Sequence, residues 1–135
     1  MASIRVILAD DHALFRNGLK LLLSGQSNIE VVGEASDGIE LLKVIEEIRA
    51  DVVLLDIEMP MMNGIDAAYK ALQIDPQLKI ISLSMYSEEE YYYKMIEAGV
   101  KGFILKNSDI SEVVEAIETV YKGNTYFSSD VLYNV

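Results

Sequence analysis

The sequence contains no cysteine and a single histidine, His12. The first absence excludes disulfides, thiolate nucleophiles and thiolate metal sites, and the second excludes a centre built on several imidazoles. Basic residues are scarce as well: 11 Lys and Arg stand against 22 Asp and Glu, a formal net charge of −11. That balance opposes association of this chain alone with nucleic acid or an anionic membrane, so a basic patch would have to come from another domain. No apolar run approaches the roughly 18 to 20 residues a membrane span needs, and the first residues lack an apolar signal segment with a small-residue cleavage site. The expected compartment is the cytoplasm. What remains, 51% hydrophobic and 24% charged residues over 135 positions, reads as one globular domain able to bury a real core.

The stretch Asp51 to Gly64 organises the rest. Val52-Val53-Leu54-Leu55 runs without polar interruption into Asp56, and Pro60 and Gly64 follow. This is how a strand buried on both faces ends in a loop. Asp56 is therefore expected at the carboxyl end of a central strand, the edge of an open parallel sheet where ligands bind. Asp10-Asp11 closes another apolar run, Ile4 to Ala9. Three carboxylates meeting at neighbouring strand mouths repel one another unless a cation or a proton neutralises part of the charge.

The pattern alternates along the chain. Strands are expected at Ile4–Ala9, Ile29–Ala35, Val52–Asp56, Lys79–Ser84 and Gly102–Leu105. After the first, Leu14, Phe15, Leu19, Leu22 and Leu23 recur at helical spacing, with Asp11 placed to cap that helix. Further helices are expected at Ile39–Ile48, around Ile65–Leu72, at Glu88–Ala98 and from Ser108 or Asp109 to Gly123. Right-handed crossovers lay these helices on both faces of a five-stranded, doubly wound parallel sheet. For the acids of the first and third strands to meet, those strands must be neighbours, which gives the flavodoxin-like order 2-1-3-4-5. Residues 1–123 form the expected domain; 124–135 are expected to be a tail, the start of a linker, or the beginning of a sixth helix.

Asp10-Asp11, Asp56, Ser84 and Lys106 all fall at strand ends on one edge. Each alone has an ordinary explanation: a helix cap, a structural acid, a turn serine, an exposed lysine. Together they point to phosphoryl chemistry. Carboxylate ligands without His or Cys select a hard cation, Mg²⁺ being usual beside phosphate. Lys106 supplies a point charge and Ser84 a hydroxyl donor to phosphoryl oxygens. Asp56, isolated at its strand tip, is the expected nucleophile, and Asp10 and Asp11 the expected ligands.

Ala9-Asp10-Asp11-His12-Ala13-Leu14-Phe15-Arg16-Asn17-Gly18-Leu19, Asp56-Ile57-Glu58-Met59-Pro60, Leu83-Ser84 and Gly102-Phe103-Ile104-Leu105-Lys106 resemble the receiver domain of two-component response regulators. The Asp-Asp-His opening resembles in particular the NarL/FixJ/LuxR subfamily of transcriptional regulators. The resemblance runs from about Ile4 to Phe127. It implies that Asp56 accepts a phosphoryl group from a histidine kinase, that Asp11 binds Mg²⁺ directly and Asp10 through water, and that Glu58 gives its backbone carbonyl. It also implies Ser84 as a switch hydroxyl, Phe103 as a switch aromatic turning into released space, Lys106 as the site lysine, and homodimerisation on phosphorylation. DNA would be reached only through a C-terminal helix-turn-helix domain, and no membrane role follows. The chain departs from the commonest pattern at Asn107, where most receivers have proline, at Ser84 in place of threonine, and at Phe103 in place of tyrosine.

Two other functions compete. A Mg²⁺-dependent phosphohydrolase with an aspartyl nucleophile would use Glu58 as general acid, but no insertion forms a substrate pocket; beyond slow hydrolysis of its own aspartyl phosphate, no separate substrate is expected. An unphosphorylated interaction module is opposed by the complete set of acids, hydroxyl and lysine. The receiver is expected either as part of a longer regulator or as a natural single-domain protein. Tyr92 reads as core. Tyr91 and Tyr93 either mark a partner surface or lie flat on neighbouring helices. Met59, Met61 and Met62 read as loop packing, and His12 as a surface residue at a helix start.

Overall fold

The computed structural model describes residues 3–59, 61–85 and 89–127. In chain order the elements are β1 (Ile4–Ala9), α1 (Ala13–Ser24), β2 (Ile29–Ala35), α2 (Gly38–Glu47), β3 (Val52–Asp56), α3 (Gly64–Ile74), β4 (Lys79–Ser84), α4 (Glu89–Ala98), β5 (Gly102–Leu105), α5 (Ile110–Tyr121) and β6 (Tyr126–Phe127). The strands form one parallel sheet in the order β2-β1-β3-β4-β5-β6. The switch of direction falls between β1 and β3, as the convergence of acids requires.

Two apolar clusters cover the two faces. Ile7, Val53, Leu55, Ile80 and Phe103 point to the side that carries Leu41, Ala67, Ala71 and Met95. Val6, Leu8, Leu54, Ile81 and Ile104 point to Leu19, Leu23, Val113 and Ile117. The alternation of side chains along each strand sends successive residues to opposite layers, so β3, buried at every position, carries no polar face. A fully buried leucine such as Leu54 contributes roughly 2 to 3 kcal/mol by leaving water, and truncating it to alanine costs about 3 kcal/mol or more.

Three expectations are corrected. The sheet has a sixth strand: Tyr126 and Phe127 pair with Gly102 and Phe103, and Phe127 packs 5.5 Å from the Tyr92 ring. A two-residue strand carries too little periodicity to be read from sequence. Asp11 does not cap α1; the N-cap is His12, and no side chain caps that end. Finally, α1 is less buried than its spacing suggests. Only Leu19 and Leu23 are buried, while Leu14 and Leu22 line an open groove with Ile110 and Val113 of α5, leaving Leu14 at 88% exposure. Leucines spread over a wider arc than one neighbouring sheet can cover.

On α4, Tyr92 and Met95 are buried, whereas Tyr93 and Ile96 are exposed. Ile96 therefore lies off the buried face that Tyr92 and Met95 share. The expectations for Glu88 and the Tyr91 side chain fall outside the described residues, as does the tail from Ser128. Met59 is buried, Met62 packs against the core, and Met61 is exposed in the left-handed region, φ 71°. No helix among the described residues is long and apolar enough to cross a membrane.

Candidate functional site

Strand register sets the site. Ala9 pairs with Leu55, so Asp10 and Asp56, one step further on, leave the sheet side by side. Asp56 lies opposite Leu83, and Ser84 opposite Leu105, so Ser84 and Lys106 follow one level above. Asp10, Asp56 and Ser84 are all buried. The loop after β3 then folds back: the Gly64 N–H donates to the Ile57 carbonyl at 2.8 Å. A side-chain carbon on Gly64 would stand 2.6 Å from the Asp56 carbonyl oxygen and 2.7 Å from Ile57 Cα, so glycine is required for this close approach. Asn63 caps α3 by accepting from the Asp66 N–H.

Lys106 Nζ lies 2.8 Å from Asp10 Oδ2 and 3.1 Å from Asp56 Oδ2. Its side chain is only 5% exposed, supported by the Phe15 ring 4.8 Å away. Asp56 Oδ1 accepts from the Glu58 N–H at 3.1 Å, and the Glu58 side chain points to solvent. Asp10 Oδ1 accepts from the His12 N–H at 2.8 Å. Arg16 donates through Nη1 to the Asp10 carbonyl and through Nε to Glu34, tying the loop after β1 to β2. Glu34 also accepts from Lys20, and this hydrogen bond is the largest of the influences holding its carboxyl below the ordinary value.

Burial pushes the Asp56 carboxyl up from 3.8 to about 6; the Asp10 charge adds to the rise, while Lys106 and the Glu58 N–H oppose it. A buried acid beside a second carboxylate gains from any further positive charge. The carboxylates of Asp10, Asp11 and Asp56 are hard oxygen donors that converge within one ion's reach, and this donor set fits a hard divalent cation.

The chain matches the sequence profile of the response regulator receiver domain over residues 6–118. It belongs to the response regulator receiver family. Oxygen regulatory protein NreC of Staphylococcus epidermidis is 41% identical over 124 residues, which cover 91% of this chain and 57% of NreC. The chain thus spans little more than half the length of that relative. A LuxR-family two-component response regulator from Aurantimonas sp. SI85-9A1 superposes with a TM-score of 0.93 at 32% identity, covering 98% of this chain and 95% of that one. The signal receiver domain described as that of NarL from Mycobacterium tuberculosis gives 0.87 at 35% identity, covering 92% and 100%. The described residues are mostly the receiver domain of a NarL/LuxR-family response regulator. Receivers of this family generally bind Mg²⁺ in the acidic pocket that Asp10, Asp11 and Asp56 form here.

Of the residues singled out from sequence, the receiver brings Asp10, Asp11, Asp56 and Lys106 together and places Ser84 at the same sheet edge. Phe103 is fully buried, with its ring 5.8 Å from Tyr92. His12 is the expected surface residue at a helix start. Its ring is largely exposed, yet Nδ1 stands 3.1 Å from Asp10 Oδ1, 3.4 Å from Asp11 Oδ1 and 3.1 Å from Lys106 Nζ. The available signal was its position directly after the two acids, where a turn into α1 folds the ring back.

Proposed function

We propose that this receiver takes a phosphoryl group from the phosphohistidine of a cytoplasmic two-component histidine kinase onto Asp56. The observation that carries the reading is the buried Asp56 carboxylate at a central strand tip, 3.1 Å from Lys106 and beside Asp10. An Asp56 oxygen attacks phosphorus, a P–O bond forms, and the P–N bond breaks with its electron pair remaining on the donor imidazole. Lys106 faces the place where charge develops on the phosphoryl oxygens, and the Ser84 hydroxyl donates to one of them. Mg²⁺ held by Asp10, Asp11, Asp56 and the Glu58 carbonyl supplies charge neutralisation when bound.

The domain acts as a switch and turns over no separate substrate; it only slowly hydrolyses its own acyl phosphate. Ser84 moves toward the new dianion, and the loop after β4 follows. Because Phe103 is already buried against Tyr92, the change reaches the α4, β5 and α5 surface through repacking of that aromatic pair. This surface then favours a homodimer, which governs transcription through a DNA-binding domain of the longer regulator. A natural single-domain receiver or a phosphorylation-independent interaction module is the alternative.

The test is intact mass after incubation with acetyl phosphate, with and without Mg²⁺, for the natural chain and Asp56→Asn. A Mg²⁺-dependent single phosphoryl adduct, absent from the variant, supports the reading. An adduct that persists in the variant, or none in either protein, contradicts it.

A further inference from the structure

His12 belongs to the acidic pocket as much as to the helix it begins. Its backbone N–H is bound to Asp10 Oδ1, which fixes the turn, and its ring does not cap α1. The ring instead brings Nδ1 to 3.1 Å from Asp10 Oδ1, 3.4 Å from Asp11 Oδ1 and 3.9 Å from Asp56 Oδ2. One ligand atom from each of the four residues lies within 4.8 Å of all the others. Ligands at about 2.0 to 2.2 Å from a tetrahedral ion stand roughly 3.3 to 3.6 Å apart, near the His12 separations from Asp10 and Asp11, while the 3.9 Å to Asp56 has to shorten on binding. Lys106 Nζ, a donor with no lone pair, faces the same Nδ1 at 3.1 Å. Nδ1 thus faces the Lys106 donor and the Asp10 and Asp11 carboxylates alike, and a cation bound there would take its lone pair with the ring proton on Nε2.

We infer that His12 Nδ1 is a nitrogen ligand of this cation site. The pocket's side chains then offer one nitrogen and three carboxylate oxygens, beside the Glu58 carbonyl. Such a donor set accommodates a borderline first-row divalent ion of the Zn²⁺ class as well as Mg²⁺, because imidazole favours the former and adds little for the latter. On Asp10 Lys106 pairs with Oδ2 while His12 meets Oδ1, whereas on Asp56 both face Oδ2, so an ion bound there shares that atom with the lysine. Zn²⁺ in this position occupies the oxygens that the proposed phosphoryl transfer uses, so the ion acts as a competitor of Mg²⁺. The inference rests on the phosphoacceptor reading only in that last consequence; ligation by His12 stands by itself.

Because His12 is the only histidine, the tag-free chain gives a single imidazole signal pair in nitrogen-correlated NMR. Added Zn²⁺ alone should move the Nδ1 resonance into the metal-bound range, and Mg²⁺ alone should leave it in place. By calorimetry, His12→Ala should lose about tenfold or more in Zn²⁺ affinity and stay within about twofold for Mg²⁺, while Asp11→Asn should weaken both. An Nδ1 signal indifferent to Zn²⁺ overturns the inference, as does a variant that loses both ions in equal proportion. A Mg²⁺-dependent adduct on Asp56 with a silent His12 ring would sink ligation and keep the receiver function. A Zn²⁺-responsive ring without any adduct would do the reverse.

Discussion

Lys106 Nζ and Asp56 Oδ2 stand 3.1 Å apart, with both side chains at least 95% buried. A lysine and an aspartate taken this far out of water hold each other in place. The same Nζ reaches Asp10 Oδ2 at 2.8 Å, so one cation serves two buried acids. The shortage of positive charge is what makes the pocket receptive to a metal ion.

Lys106→Met removes that cation while keeping much of the packing against Phe15. Asp56 then loses one of the influences that lower its pKa, so its midpoint should move further above about 6. Stability in the absence of divalent ions should fall by about 2 to 4 kcal/mol near neutral pH, because two buried carboxylates lose the lysine cation that both face. Carbon-detected titration of Asp56 and urea unfolding check the two parts.

Asp56→Asn should stabilise the metal-free domain. The folded state holds the Asp56 pKa at about 6 against an ordinary 3.8, so between those values the folded chain binds more protons than the unfolded one. Stability therefore declines as pH rises through this window, and the loss is complete above about pH 6. About two pKa units correspond to roughly 3 kcal/mol; with the Lys106 pairing lost as well, the variant should gain about 1 to 3 kcal/mol. The gain should be present at about pH 7.5 and shrink toward about pH 5. Urea midpoints of both proteins at the two pH values, in chelator, measure it. A gain independent of pH would show that Asp56 titrates as an ordinary surface acid.

Gly64→Ala should damage stability and acceptance together. The new methyl group meets backbone, the Asp56 carbonyl at 2.6 Å and Ile57 Cα at 2.7 Å, and backbone cannot turn aside as a side chain can. A loss of about 2 kcal/mol or more is expected, along with slower adduct formation, because the displaced atoms belong to Asp56 itself. Gly18→Ala, where the added carbon meets nothing within 4 Å, is the control and should stabilise slightly by favouring helix.

Ser82 is fully buried in β4, and its hydroxyl has no hydrogen-bond partner among the described residues. Ser82→Ala removes a buried polar atom and should be neutral or stabilising by up to about 1 kcal/mol, with acceptance unchanged. A marked loss in thermal unfolding would mean the hydroxyl is satisfied in solution.

The main lines of this architecture were legible because β3 and β4 are buried on both faces and end abruptly in polar residues. Once Val52–Leu55 is read as a central strand, the position of Asp56 follows, and the requirement that Asp10 meet it sets the strand order. What escaped was governed by contacts between distant parts of the chain. The β6 pair depends on the exposed edge of β5 and on Tyr92, neither adjacent in sequence. His12 is the surface residue at a helix start that its position suggests, and only the turn fixed by the Asp10 side chain reveals that its ring lies beside the acids.

The most direct test of the central claim is chemical mapping of the phosphorylated residue. After reaction with acetyl phosphate and Mg²⁺, borohydride reduces an aspartyl phosphate to homoserine, and peptide mass spectrometry locates the change. The account predicts homoserine at position 56 and nowhere else. Conversion at Asp10 or Asp11, with residue 56 intact, would contradict it.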